Sequence, residues 1–418
     1  MAVVNVRIPK QLQLIGEQGM FSGTGFLVNI ALVKLLSLEQ YGRFASLIIV
    51  AYLLLAVVHA LVVQPMQVHV GAERRIGAYR YVLLAVLLPL VACFAVAPVG
   101  LYLFDPSWLA AYRPLLLPFA LYVGAFLLTD FLRKYFLARG RTEIVVGMTA
   151  TYLIGVAAGM AYGAYAGAAQ LPGYLLLLSA ASVPGLLIGG AVYLNGCRLP
   201  EAGMLRSYLR IHLREGQWLL YAAVVQWCAS NLYVMTSGLL IGVEALGVLR
   251  FVQTILGVLN IVLQTLENFV LPRLSEAYRT SADRYYRAAQ RQLGPYQLGM
   301  LGGLVLLFVF AEPVIVAVGD AAFGPYAFVL RGMAALYAII VVAYPVRLLI
   351  RVTELNRSYF TAYLASFLFS LLSYRYLLGT FGVSGAVAGL IINQLILQAT
   401  WLVVLQKKQF KLWKLYTW

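Results

Sequence analysis

Arg347 and Arg351 stand four residues apart, so a helix places both guanidiniums on one face, where they can grip a phosphate through directional, bidentate hydrogen bonds. The alternative is ordinary anchoring to lipid phosphates. Asp130 and Arg133, three apart, can pair on one helix face. Asp130 is a candidate ion-coupling acid and Arg133 a candidate contact for an anionic headgroup. Gln253, Asn260, Gln264 and Glu267 with Asn268 form a polar stripe at helical spacing. Such a stripe is either a wall that contacts a hydroxylated substrate, with Glu267 as a coupling acid, or a set of interhelical hydrogen bonds. Glu17 is a candidate proton or cation site, or an acid placed beside a helix N-terminus. Lys34 either contacts a sugar or phosphate or snorkels to an interface. His59 and Gln64 can join a proton path, since histidine titrates near neutrality.

These groups lie in a chain whose composition fixes their surroundings. Of 418 residues, 62% are hydrophobic and 11% charged, against about 45–50% apolar and ~25% charged in soluble domains. Lipid is the solvent that accepts so much apolar surface. A spanning chain must satisfy its backbone polar groups internally, as a helix bundle or a closed barrel. Continuous apolar runs such as 44–63 and 82–104 select helices. Cys93, Cys197 and Cys228 show no metal-ligand spacing and read as packing residues. The chain carries no hydrolytic triad, metal cluster, P-loop or glycine-rich nucleotide fingerprint. No cofactor is expected, and the chain reads as a transporter rather than an enzyme. Its energy would come from an ion gradient, downhill flux or a partner.

Twelve spans are expected, near 14–36, 44–68, 81–104, 114–134, 143–167, 173–194, 217–242, 248–272, 293–318, 333–353, 358–380 and 383–406, each close to the ~20 residues a bilayer requires. Those near 143–167 and 173–194 are rich in Gly and Ala, which suits close helix approach. On this topology most Lys and Arg fall on one side: Arg7 and Lys10, the groups around Arg74, Arg139, Arg210, Arg284 and Arg357, and the C-terminal lysines. The other side holds only Arg43, Arg113, Arg250, Arg331 and Arg375. The positive-inside rule then places both termini in the cytoplasm and makes the span count even. The formal charge of +16 is accordingly topology rather than a nucleic-acid signal.

The chain divides into an N-lobe, 1–200, an amphipathic cytoplasmic linker, 201–216, a C-lobe, 217–406, and a basic-aromatic tail, 407–418. On a helix, Arg206, Arg210 and Arg214 of the linker share one face, which predicts a segment lying along the membrane surface. The tail, with Phe410, Trp413, Tyr416 and Trp418 among lysines, reads as an interfacial anchor. The halves are weakly self-similar. Leu38-Glu39-Gln40-Tyr41-Gly42 corresponds to Val243-Glu244-Ala245-Leu246-Gly247. Pro98, Asp105, Leu115 and Ala120-Leu121-Tyr122 recur 215 residues on as Pro313, Asp320, Leu330 and Ala335-Leu336-Tyr337. Six spans per half predicts two pseudo-symmetric six-helix lobes around a central cavity, related by an axis along the membrane normal.

Residues 23–44, above all Lys34-Leu35-Leu36-Ser37-Leu38-Glu39-Gln40-Tyr41-Gly42, resemble the opening of the Wzx-like polysaccharide flippases of the MOP superfamily, which also contains the MATE drug exporters. Leu271-Pro272-Arg273-Leu274-Ser275-Glu276, Gly319-Asp320 with Tyr326, and Gly379-Thr380-Phe381-Gly382-Val383-Ser384-Gly385-Ala386 resemble later turns and helix ends of that family. The resemblance implies an all-α MATE-like membrane fold in the bacterial inner membrane. It also implies movement of an undecaprenyl-pyrophosphate-linked glycan to the periplasmic leaflet for O-antigen or exopolysaccharide assembly. Membrane lipids, a polysaccharide polymerase and chain-length proteins are the partners it suggests; nucleic acid is not expected, and the chain is expected to be a monomer. Lys34, Arg133, Arg347, Arg351, Gln264 and Asn260 are then headgroup candidates, and Glu17, Asp130 and Glu267 ion-coupling candidates. Where some relatives carry several arginines in the first two spans, this chain has Glu17, Lys34 and His59. A MATE-like exporter of cationic drugs, driven by H+ or Na+, is the alternative.

Overall fold

The structure is a computed structural model that describes residues 10–71, 73–104, 106–166 and 170–416. Arg7, Asp105, Trp418 and the side chain of Asn268 lie outside the described residues. The fold is all-helical. In chain order the helices are α1 (Lys10–Leu35), α2 (Leu38–Val58), α3 (Gln64–His69), α4 (Ile76–Phe104), α5 (Arg113–Ala138), α6 (Thr142–Ala166) and α7 (Leu171–Asn195). They continue with α8 (Ala202–Leu240), α9 (Val243–Thr280), α10 (Ala282–Val309), α11 (Ala311–Val318), α12 (Ala327–Val352) and α13 (Asn356–Lys407). Among the described residues, ten segments are long and apolar enough to cross a membrane. One of them, α13, is two helices joined at Gly382. Helix α1, which carries Glu17 and Lys34, is not among the ten. The chain is a multi-pass membrane protein.

Helix breaks follow from local chemistry. Gly382 has φ 56°, ψ −135°, a conformation that favours glycine, and it reverses α13. The expected last turn is therefore a hairpin, closed by Ser370 and Asn393 side chains bonded to each other. Pro313 lacks the N–H that would bond to Val309, and α10 gives way to α11 there, at Phe310. Between α2 and α3 the chain takes a π-helical turn, His59–Val63, just ahead of Pro65.

The chain sorts into two compact units, Met1–Leu36 with Leu47–Val224, and Ser37–Ser46 with Val225–Trp418. In the first unit α6 and α7 approach closely: a Cβ on Gly185 would sit 3.1 Å from the Met148 carbonyl oxygen. In the second unit the two matching turn glycines meet. A Cβ on Gly247 would fall 3.0 Å from the Gly42 Cα, and one on Gly42 would fall 2.1 Å from the Val243 carbonyl oxygen. The repeat is visible in the elements themselves, at an offset of 214 residues. The 3-10 turn Ser107–Tyr112 precedes the 26-residue α5, and the 3-10 turn Ala321–Tyr326 precedes the 26-residue α12.

The expected linker and tail each pack against their own unit. The linker is not a separate helix, because α8 runs unbroken from Ala202 to Leu240 and joins it to the seventh span. It packs on the first unit through Tyr208, which bonds to Glu73, and through buried His212. Pro65 cannot donate to the Leu61 carbonyl; His212 Nδ1 does so instead, at 3.3 Å, while Nε2 accepts from the Tyr79 hydroxyl at 2.9 Å. Arg206, Arg210 and Arg214 stay exposed, as their shared face predicts. The tail packs on the second unit. Lys414 pairs with Asp283 at 2.6 Å, Tyr286 accepts from the Lys411 backbone at 3.0 Å, and Leu415 is buried.

Candidate functional site

Within the first unit, α5 carries two charges one turn apart that face different partners. Arg133 donates from Nε to Glu17 Oε1 at 2.5 Å, and from Nη2 to Glu17 Oε2 at 3.0 Å and Gln18 Oε1 at 2.9 Å. Thr149 of α6 donates to Glu17 Oε1 at 3.0 Å, and the Phe21 ring lies 3.8 Å from the guanidinium. Glu17 and Arg133 are each 2% exposed. Asp130 instead meets His59, the first residue of the π-helical turn, with Nε2 and Oδ2 2.6 Å apart. The Asp130–Arg133 pair that their spacing allows is therefore not formed. Each group has a partner on another helix, and a long arginine fork is better matched by the two oxygens of Glu17 than by a short aspartate on its own turn. A guanidinium filled in this way has no free fork for a phosphate. Lys34 is exposed in the last turn of α1, about 25 Å from Glu17 at ~1.5 Å of rise per residue.

Within the second unit, α9, α12 and α13 enclose a cavity of about 150 Å³. Here five of the sequence candidates come together. Asn260, Gln264 and Glu267 of α9 line one wall, with Arg347 of α12 opposite. Glu267 is 9% exposed and is shared by two guanidiniums: Arg351 is in contact with Oε1, and Arg347 Nη2 stands 3.8 Å from Oε2. The Tyr344 hydroxyl lies 2.6 Å from the Leu263 carbonyl and 3.2 Å from Glu267 Oε2, sharing one proton between them. Asn260 is oriented by the Tyr337 hydroxyl at 2.8 Å. Gln253, also on the stripe, turns to Arg250 at 3.2 Å. Gln226 of the seventh span reaches the Tyr363 hydroxyl, whereas Asn231 bonds its own helix.

Sequence reasoning missed the third wall. Gln394, Gln398 and Trp401 come from the second limb of α13 and Tyr363 from the first. Gln394, Gln398 and Trp401 follow one another by four and three residues, the same helical period that exposes the α9 stripe. That signal was legible in the sequence. Tyr359 stacks on Trp401 with ring centroids 5.5 Å apart and planes 16° from parallel, and Tyr363 meets the same ring edge-on. Three buried polar atoms on these residues have no hydrogen-bond partner among the described residues: Arg347 Nε, Gln398 Oε1 and Trp401 Nε1. Buried polar atoms are rarely left unpaired, so donors and an acceptor stand ready at one cavity.

The sequence matches no protein-family model and no curated protein. Its fold, however, is shared with solved transporters. A MATE-family multidrug transporter of the MOP superfamily, in an inward-facing conformation, superposes with a TM-score of 0.70 at 11% identity, covering 98% of this chain and 100% of that one. The lipid II flippase MurJ, in an inward closed conformation, gives 0.75 at 11% identity, covering 94% and 87%. The MATE multidrug transporter DinF-BH gives 0.66 at 16% identity, covering 100% and 99%. Over essentially its full length, this chain has the fold of the MATE-type transporters and the lipid II flippase.

Proposed function

We propose that this protein is a flippase that moves a polyprenyl-pyrophosphate-linked oligosaccharide from the cytoplasmic to the periplasmic leaflet of the bacterial inner membrane, by alternating access, for surface polysaccharide assembly. The observation that carries this reading is the second-unit cavity. It combines Asn260, Gln264, Gln394 and Gln398, which suit hydroxyl groups, with aromatic side chains and an arginine edge. Its ~150 Å³ is below the roughly 300–1,000 Å³ of pockets that enclose drug-sized ligands. Likeness in fold to a lipid II flippase agrees with a lipid-linked substrate. The arginines would meet the headgroup while the polyprenyl tail stays in lipid. Glu17, Asp130 and Glu267 are the acids proposed to couple the cycle to an ion, and Lys34 a peripheral headgroup contact.

Deleting the gene tests the reading directly. The expected result is loss of surface polysaccharide with accumulation of the lipid-linked unit on the cytoplasmic side. Unchanged polysaccharide together with new sensitivity to cationic drugs would overturn it. That outcome would favour H+- or Na+-coupled drug export, which the same fold permits and for which the half-buried His59 and buried Asp130 would serve as a proton site.

A further inference from the structure

Resting on the flippase reading, we propose that the second-unit cavity is a binding subsite for one sugar ring that carries a carboxylate, a hexuronate, of the translocated glycan. Three observations converge. The first is hydrogen-bond demand. Gln398 is 7% exposed and Trp401 1% exposed, yet Gln398 Oε1 and Trp401 Nε1 are unpartnered among the described residues. A ring hydroxyl can donate to the first and accept from the second; water-free apolar ligands can do neither. The second is shape. Tyr344, Tyr363 and Trp401 give the cavity an aromatic side. The negative face of an aromatic ring suits the polarised C–H face of a pyranose, whereas a pyrophosphate has no such face. The cavity volume of about 150 Å³ is of the scale of a single ring rather than a chain.

The third is charge. Glu267 answers two arginines, and contact with Arg351 uses Oε1, leaving Arg347 at 3.8 Å from Oε2 with its Nε unpaired. Arg347 also donates a hydrogen bond to the neutral Tyr359 hydroxyl, so what the two guanidiniums lack is a second anion: one positive charge is in excess beside a single carboxylate inside a membrane bundle, where an uncompensated charge is costly. A ligand carboxylate at Arg347 would supply the missing partner through a charge-assisted hydrogen bond.

The test uses the whole protein in nanodiscs and saturation-transfer NMR with three probes: a glucuronyl disaccharide, the matching glucosyl disaccharide and inorganic pyrophosphate. The glucuronyl disaccharide is expected to bind about tenfold more tightly than the neutral one, the ratio expected of one charge-assisted hydrogen bond. Pyrophosphate is expected not to displace it. Arg347→Gln should abolish the preference for the acidic sugar while neutral-sugar binding persists. Gln398→Leu, which is close to isosteric, and Trp401→Phe, which keeps an aromatic ring but removes the indole N–H, should weaken both sugars, with size-exclusion profiles confirming that each variant is folded. Equal binding of the two disaccharides, or displacement by pyrophosphate, overturns the proposal. Proteoliposome flipping of a neutral lipid-linked oligosaccharide separates the two readings. Flipping without uronate preference sinks only the subsite. Uronate binding without flipping of any lipid-linked glycan sinks the flippase reading and leaves the subsite standing.

Discussion

Arg133 on α5 holds Glu17 on α1 at two points, 2.5 Å and 3.0 Å, with both side chains buried. This pair fastens α1, a helix outside the ten apolar spanning segments, to the first unit. Removing one partner strands the other charge, which costs about 3–5 kcal/mol in buried pairs. Glu17→Leu and Arg133→Leu should each lower the melting temperature in detergent by several degrees or prevent accumulation. The double Leu variant should recover most of the loss, because it leaves no unpaired charge. Additive losses in the double variant would show that the two residues do not act as a pair.

The meeting of Gly42 and Gly247 leaves no room for a side chain. Gly42→Ala should destabilise by about 1–3 kcal/mol, the usual cost of overpacking, since its Cβ would fall 2.1 Å from a backbone oxygen that cannot swing away. Gly382→Ala adds strain at φ 56°, worth about 1–3 kcal/mol. Gly25→Ala meets nothing within 4 Å and should leave the melting temperature unchanged or raise it. Thermal unfolding in detergent ranks the three; Gly25 ranking worst would contradict the packing described.

Asp130 bonds a histidine, and Glu267 bonds two arginines and a tyrosine. If Asp130 couples transport to protons, Asp130→Asn should eliminate stimulation of flipping by a pH gradient while sugar binding is retained. Glu267→Gln should change binding itself, strengthening the preference for an acidic sugar, because it releases Arg347 and Arg351 together. Proteoliposome flux with and without a gradient separates these effects; full gradient stimulation in Asp130→Asn would remove that residue from the coupling path.

The charge distribution predicts a topology that labelling can read. With Cys93, Cys197 and Cys228 replaced by alanine, single cysteines at Arg279 and Lys408 should react only from the cytoplasm. Those at Arg113 and Arg331 should react only from the opposite side. Labelling of Lys408 and Arg331 positions from the same face would overturn the assignment.

The all-helical membrane architecture, the reversal at Gly382 and the repeat between α5 and α12 were legible in the sequence, whereas helix ends were not: α8 begins at Ala202 and α10 at Ala282, eleven or more residues before the spans expected there. The legible features depend on periodicity, length or local backbone chemistry, which neighbouring residues carry among themselves. The candidate cavity was half legible. Asn260, Gln264 and Glu267 announce themselves as polar positions on an apolar helix, and Arg347 and Arg351 by spacing, but nothing local says that α13 brings Gln398, Tyr363 and Trp401 to them. Pairing was the least legible. Sequence proximity suggests Asp130 with Arg133, whereas packing gives each a partner about seventy or more positions away, His59 and Glu17. The sequence by itself determined that charges must lie inside the bundle and on which helices. Only the tertiary structure decided which charge answers which, because a buried ion pair forms with whatever group helix packing places within hydrogen-bond reach and desolvates alongside it.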